Sequence, residues 1–292
     1  MIQKADPSFS RASTAGVDIG ATLAKLAIRA SDGRMRFHVL PAQAIEQVAR
    51  KVESSSAARV GLTGGGATEL ASLLRSDTVR AVEFDAWRRG AAELLCRQGC
   101  EHSGPFLLVS LGTGTSAMLV RGGEAIRLGG TALGGGTIVG LAAALTGSAD
   151  FSEITELAQL GDRRRVDLLV SDIYPAGELS LPGDLNAASF AKLARREQDG
   201  PADPRDLAHA IMGLVGENVG LICGGLAAAA GVSRIVYGGS TLRNNPTLID
   251  ILGIIAATRG HEVVFLENPE FAGAMGALII ASSAAESGGG DS

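Results

Sequence analysis

Aromatic residues make up only 4% of this 292-residue chain, with one Trp, two Tyr and eight Phe. That scarcity removes the stacking platforms on which single-stranded nucleic acids are bound. Positive charge is short as well: 26 Lys and Arg face 31 Asp and Glu, a net charge of −5, so the clustered cationic field that polyanion binding needs is missing. Three cysteines (Cys96, Cys100 and Cys223) cannot form a disulfide framework. The four histidines (His38, His102, His209 and His261) are scattered, so the Cys96/Cys100 pair lacks the further ligands of a zinc site and reads as reduced thiols. Residues 1–15 have no apolar core of the kind a secretion signal carries, and the apolar stretches, such as Leu221–Val232, are short and interrupted by glycine. The expectation is a cytoplasmic protein with neither nucleic acid nor membrane as partner.

What the chain has in excess is glycine. Its 40 glycines are close to double the average usage of about 7%, and they cluster between apolar runs. Apolar residues at 46% support a folded core. Strand-like runs at Ala15–Ile19 and Leu23–Arg29 are joined by Gly20-Ala21-Thr22, and Met35–Leu40 extends them. Helical spacing over Ala42–Val52, a short strand at Arg59–Thr63, a helix at Ala67–Leu74, a strand at Val79–Phe84 and a helix at Ala86–Gln98 follow. The order then recurs. Phe106–Leu111 ends in Gly112-Thr113-Gly114-Thr115-Ser116, two further strands follow at Ala117–Val120 and Ala125–Leu128, and Gly134-Gly135-Gly136 opens a helix at Thr137–Thr146. Leu207–Ala230, Arg234–Tyr237, Thr247–Thr258, Glu262–Leu266 and a last helix from Phe271 complete the second copy. The expected organisation is an α/β duplication: loose tails at 1–13 and 282–292, one lobe over 14–103, and a second over 104–281 with an insertion at about 150–206. A ligand cleft lies between such lobes, outside the carboxyl ends of the strands. Two independent α/β domains without a shared site are the alternative.

The Gly-rich turns point to phosphate. In Asp18–Lys25 the glycine lets backbone approach an anion, Thr22 offers donors, Lys25 adds charge, and Asp18 at a strand end can hold a hydrated Mg²⁺. Gly112–Ser116 stands at the matching place in the second copy, and the N–H groups that open the helix after Gly134 form a third anion-binding element. No P-loop and no dinucleotide fingerprint accompanies them. A kinase acting on an alcohol also needs a carboxylate base. Glu83 and Asp85, at a strand end and two apart, are expected on one face. Glu69 competes, although a favourable charge in the first turn of a helix accounts for it better.

In this order the stretches Asp18–Lys25, Leu62–Ala67, Val82–Ala86, Gly112–Ser116, Arg127–Leu141, Leu160–Arg163, Val166-Asp167, Asp172–Tyr174, Pro182–Leu185, Ile235–Ser240, Asn244-Asn245 and Phe271–Leu278 resemble the type II pantothenate kinases. The resemblance covers about Gly16 to Ala281 and implies a duplicated actin-like ATPase fold. It also implies ATP-dependent phosphorylation of pantothenate, the entry step of coenzyme A synthesis. By the same resemblance Glu83 is the proton acceptor and Arg127 steadies the reacting groups, while Thr113 and Ser116 supply hydroxyls to the phosphates and to pantothenate. Asp18, Gly20, Ala21, Thr22, Leu23 and Lys25 are its nucleotide contacts, with Gly135, Gly136, Thr137, Ile138, Val139, Phe151 and Ser240. Mg²⁺ sits near Asp18. The resemblance further implies a homodimer through helices of the second half, an acyl-CoA regulator, and pantetheine as a second acceptor. Ala21 departs from the pattern, standing where the family has its second glycine; a methyl there requires φ below zero. The residues alone also leave open an ATP- or acyl-CoA-binding sensor, or a kinase for another small hydroxylated substrate.

Overall fold

Each half of the chain threads a five-stranded sheet by the same route. The computed structural model describes residues 13–100, 103–175, 178, 183, 185–195 and 201–287. The expected tail over residues 1–12, together with His102, Pro182, Asp184 and residues 288–292, lies outside them. In the first half β1 (Thr14–Ile19), β2 (Leu23–Arg29) and β3 (Met35–Pro41) form an antiparallel meander. After α1 (Ile45–Glu53), β4 (Arg59–Gly64) returns parallel to β1, and after α2 (Ala67–Leu73), β5 (Asp77–Arg80) lies parallel to β4. Crossover helices permit such parallel returns. The sheet order is β3-β2-β1-β4-β5, and α3 (Glu83–Arg97) ends the half.

The second half repeats this with β6 (Phe106–Leu111), β7 (Thr115–Arg121) and β8 (Glu124–Thr131), then α4 (Gly135–Thr146), α5 (Phe151–Leu160) and, after a small β9/β10 ribbon (Leu168–Leu169 and Asn186–Ala188), the long α6 (Pro204–Ala229). Next come β11 (Arg234–Gly238), α7 (Pro246–Thr258), β12 (Glu262–Phe265) and α8 (Ala272–Ser287). The sheet order β8-β7-β6-β11-β12 copies the first. The central strands β1 and β6 are buried along almost their whole length, as continuous apolar runs demand.

The packing crosses between the halves. Helix α3 brings Trp87, Ala91, Leu94 and Leu95 against Phe106, Leu108 and Val236 of the second sheet. Helix α8 lies on the first sheet, Ala274 and Leu278 packing on Ala27. The two helices meet through small residues: a methyl on Gly90 would strike the Ala272 carbonyl, and one on Gly276 the Ala86 carbonyl. α8 runs past residue 281 to Ser287, beyond the expected start of the loose tail, and Arg29 Nη2 donates to Ser282 Oγ at 2.7 Å on that added turn. The segment expected as an insertion carries more core than a surface loop would, because Ile154 and Ala158 of α5 pack into the second-lobe core with α6. Helix α6 is long and apolar enough to cross a membrane by length and composition, but most of that stretch is buried in the same core.

Candidate active site

The hairpin turns after β1 and β6 face each other where the two lobes meet. Thr22 Oγ1 and Thr113 Oγ1 stand 3.1 Å apart across the gap, so one hydroxyl from each lobe joins the two turns. Around them lies a cleft of about 320 Å³ lined by Asp18, Gly20, Ala21, Thr22, Leu23, Lys25, Glu83, Thr113, Ser116 and Ser240 among others. A larger, more apolar cavity of about 640 Å³ continues from it, lined by Val39, Leu40, Gly135, Gly136, Val139 and Phe151 and sharing Thr22, Leu23, Thr113 and Ser240. The duplicated topology thus brings most of the sequence-selected residues to one interlobe site.

Asp18 is the last residue but one of β1 and is 4% exposed. Burial pushes its carboxyl above the ordinary value, and Lys25, with Nζ at 3.8 Å, partly opposes that. Room for the carboxylate depends on α8: a Cβ at Gly273 would sit 2.5 Å from Asp18 Oδ2. Ala21 keeps φ negative, since the non-glycine residues with positive φ among those described are Ser56, Phe190, Asn244 and Asn268. Its methyl is therefore accommodated by the turn.

Glu83 reaches the cleft from the first residue of α3. Partial desolvation raises its pKa first, and the neighbouring Asp18 charge raises it further against Lys25 and Arg80. The expectation that Asp85 shares its face is corrected. Strand β5 stops at Arg80, and Val82, with ψ of 131°, turns the chain into helix before Glu83. Asp85 then falls on another side of the helical turn and is held by Arg88 Nη2 at 2.6 Å and Arg89 Nε at 2.8 Å. Glu69 sits exposed in the first turn of α2 and lines neither cavity.

Arg127 is exposed and does not line the cleft; its Nε donates to Ser116 Oγ at 3.1 Å, and Ser116 does line it. A bulge at Leu128 lets Gly129 pair with Ala117 while Arg127 pairs with Met118. At Gly130 the missing side chain leaves room, because a Cβ there would come 3.1 Å from Arg127 Nη2.

The helix opening at Gly134 is not the open anion site expected from sequence. The Gly135 and Gly136 N–H groups donate to the Gly112 and Thr113 carbonyls at 2.8 and 2.9 Å, so they brace the second hairpin. The helix also begins two residues earlier than expected. Thr137 therefore lies inside it, its hydroxyl donating to the Ala132 carbonyl at 3.0 Å, and Ile138 is core. Neither residue lines either of the two cavities. Residues that the sequence reading did not single out line the cavities too: Trp87 and Ser110 the cleft, Arg243 and Asn244 the larger cavity, and Glu270 both. Asn244 lies in a stretch already noted for its resemblance, whereas Glu270 sits in a connecting segment with no local signal.

Among the described residues no three His, Cys, Asp or Glu side chains gather as a metal site. The carboxylate of Asp18, bordering the cleft, fits a hydrated Mg²⁺, which takes one or two carboxylates and completes its shell with phosphate oxygens and water.

Solved structures share the fold at low identity. Component A of (R)-2-hydroxyglutaryl-CoA dehydratase from Acidaminococcus fermentans matches with a TM-score of 0.63 at 18% identity, over 94% of this chain and 99% of that one. A ROK family glucokinase from Streptomyces griseus, solved with glucose and AMPPNP, matches with a TM-score of 0.58 at 15% identity, over 93% of this chain and 100% of that one. The architecture is the duplicated actin-like ATPase fold. In sequence, the Fumble family model matches residues 95–280. The type II pantothenate kinase of Staphylococcus haemolyticus is 34% identical over 265 residues, 91% of this chain and 98% of its own length. That of Staphylococcus epidermidis is 35% identical over 267 residues, 91% of this chain and 99% of its own. With the cleft, the duplicated sheets and these relatives in agreement, the chain belongs to the type II pantothenate kinase family.

Proposed function

We propose that Glu83 is the base in the family's reaction, in which ATP phosphorylates the primary alcohol of pantothenate to 4′-phosphopantothenate at the head of coenzyme A synthesis. The observation that supports this role is convergence: the one raised carboxylate at a helix start, the Asp18/Lys25 pair and the hydroxyl-lined second hairpin all border one cleft. A carboxylate whose pKa is raised holds a proton more firmly once it has taken one, which suits a group that accepts the alcohol's proton as the phosphoryl group arrives. Arg127, reaching the rim through Ser116, offsets charge on the phosphoryl group in flight. The Gly20–Leu23 and Gly112–Gly114 turns hold the phosphates by backbone N–H groups and the Thr hydroxyls. Asp18 would hold Mg²⁺ together with phosphate oxygens, and the ion would supply charge neutralisation to the phosphates there. The larger cavity, with Val139 and Phe151 on its walls, takes the adenine end.

Pantetheine, which carries the same alcohol, is a second acceptor in this reading, and acyl-CoA is a regulator. The working form is a cytoplasmic homodimer. Leu221 and Ile222 leave 42% and 39% of their surface exposed on α6, a helix with about half of its residues buried, which gives a dimer an apolar face to cover. Leu221→Glu should shift the sedimentation of the protein from dimer to monomer; unchanged sedimentation counts against this face.

The decisive assay is ADP release with pantothenate as sole acceptor, run beside N-acetylhexosamines and glucose. Turnover on pantothenate alone is expected. Nucleotide binding without turnover on any of them would replace the kinase reading with a sensor.

A further inference from the structure

Glu270 stands on the short Pro269–Phe271 turn that joins β12 to α8. It is 7% exposed, and its Oε2 is enclosed without a hydrogen-bond partner among the described residues. No ion pair reaches it either among the described residues, although Arg243 borders the same cavity. A carboxylate oxygen shut away from water without a donor costs stability unless a ligand brings the donor. The turn is firmly placed: the Gly239 N–H donates to the Pro269 carbonyl at 2.7 Å, and the Phe271 ring centroid lies 4.7 Å from that of Phe37 on β3. Elements of both lobes therefore set the position of this carboxylate in advance.

The place matters as much as the missing partner. The phosphate cleft and the apolar cavity share Thr22, Leu23, Gly112, Thr113, Ser240 and Glu270 on their walls. Glu270 is the only carboxylate of the six. In a nucleotide the sugar connects the base to the phosphates. With phosphates at the Gly turns and the base in the apolar cavity, the ribose falls where the two cavities join. Its 2′- and 3′-hydroxyls are the donors that an acceptor-only group requires.

We propose that Glu270 accepts hydrogen bonds from the ribose hydroxyls and makes this enzyme select ribonucleotides over deoxyribonucleotides. The inference rests on the kinase reading only in that an adenine nucleotide enters the cleft. Its test uses no acceptor, so it can fail or succeed independently of pantothenate turnover. Binding of ADP, 2′-deoxy-ADP and 3′-deoxy-ADP is measured by calorimetry on the full-length protein in Mg²⁺ buffer. The wild type should bind ADP on the order of 10-fold more tightly than at least one deoxy analogue, the size expected for a hydrogen bond to a charged group. Glu270→Ala should weaken ADP by a similar factor and erase the preference. Glu270→Gln keeps the shape and one acceptor, and should fall between them. Thermal melts of the free variants should be equal to or above wild type, because an unpartnered buried carboxylate has been removed; a purely structural role predicts a drop. A wild type without preference, or a Glu270→Ala protein that keeps it, overturns the proposal. Should Glu270→Ala fail to fold, Glu270→Gln decides: ADP affinity equal to wild type overturns it.

Discussion

The two lobes use equivalent strands to present different chemistry. From the first come Asp18 and Lys25 around the turn after β1 and Glu83 from α3; the turn after β6 offers Ser110, Thr113, Thr115 and Ser116, without a charge among them. One fold element, repeated, thus carries the charged groups in one copy and neutral hydroxyls in the other. In the reading proposed above, proton transfer and ion binding belong to the first lobe, while the second lobe grips and aligns. Hydroxyls suit gripping because they give and accept hydrogen bonds in any order, at little desolvation cost. Charges placed in both turns would repel or neutralise each other across a gap that Thr22 and Thr113 close to 3.1 Å.

The largest expected effect falls on the charged side. Glu83→Gln should lower turnover by on the order of 10²-fold or more, with nucleotide binding measured by calorimetry nearly unchanged. Unchanged turnover would remove the chemical role from the first lobe. Because burial and Asp18 raise the Glu83 pKa, the basic form is lost at a higher pH than for an ordinary glutamate. The acid limb of kcat/KM should therefore lie at higher pH than an ordinary glutamate would give, and residual Asp18→Asn activity should show it moved downward.

Next comes Arg127→Ala, expected to cost about 10-fold or more in turnover with a smaller change in KM, as for a group that acts on the phosphoryl in flight. Ser116→Ala, which removes only the hydroxyl that holds Arg127, should cost less. Equal losses would mean that the second lobe's contribution is Ser116 itself.

Asp18 allows a test of stability against function. Its pKa is raised in the folded protein, so the native state binds the proton more tightly than the unfolded chain and stability falls as pH rises through the folded value. Asp18→Asn should therefore melt higher at neutral pH, by about 2–4 °C for each kcal/mol regained, with the gain shrinking in acid. Turnover should fall in the same protein. A lower Tm at neutral pH would show that Lys25 outweighs burial.

The smallest effect is the contact between the lobes. A double-mutant cycle of Thr22→Val and Thr113→Val, read by nucleotide affinity, should give a coupling of about 1 kcal/mol or less, because the pair is exposed. A larger value would make the contact a latch and not only a meeting of two walls.

Local patterns that were readable without coordinates were those in which residue type and backbone path impose the same thing. Alternating and continuous apolar runs marked β1, β2 and β6, and the Gly/Thr turns marked the hairpins, because few other residues make such bends or leave space for an anion there. Their recurrence in order carried the duplication, and hence the cleft. Errors arose at joints. Whether Glu83 and Asp85 share a face depends on whether the segment is strand or helix, and that was decided where β5 ended at Arg80 and α3 began at Glu83. Whether the N–H groups of Gly135 and Gly136 are free depends on what folds back onto them, and the second hairpin does.

By itself, then, the order of residues determined the two copies, their turns and the charge carried by each, since these follow from side-chain volume, glycine's backbone and the spacing of apolar positions. Tertiary structure alone decided that α3 and α8 cross between the lobes, that Arg127 stands outside the cleft and bonds to Ser116 on its wall, and that Glu270 stands where two cavities join. The reason is physical: burial, a missing hydrogen-bond partner and the meeting of two walls are properties of distances between segments far apart in the chain.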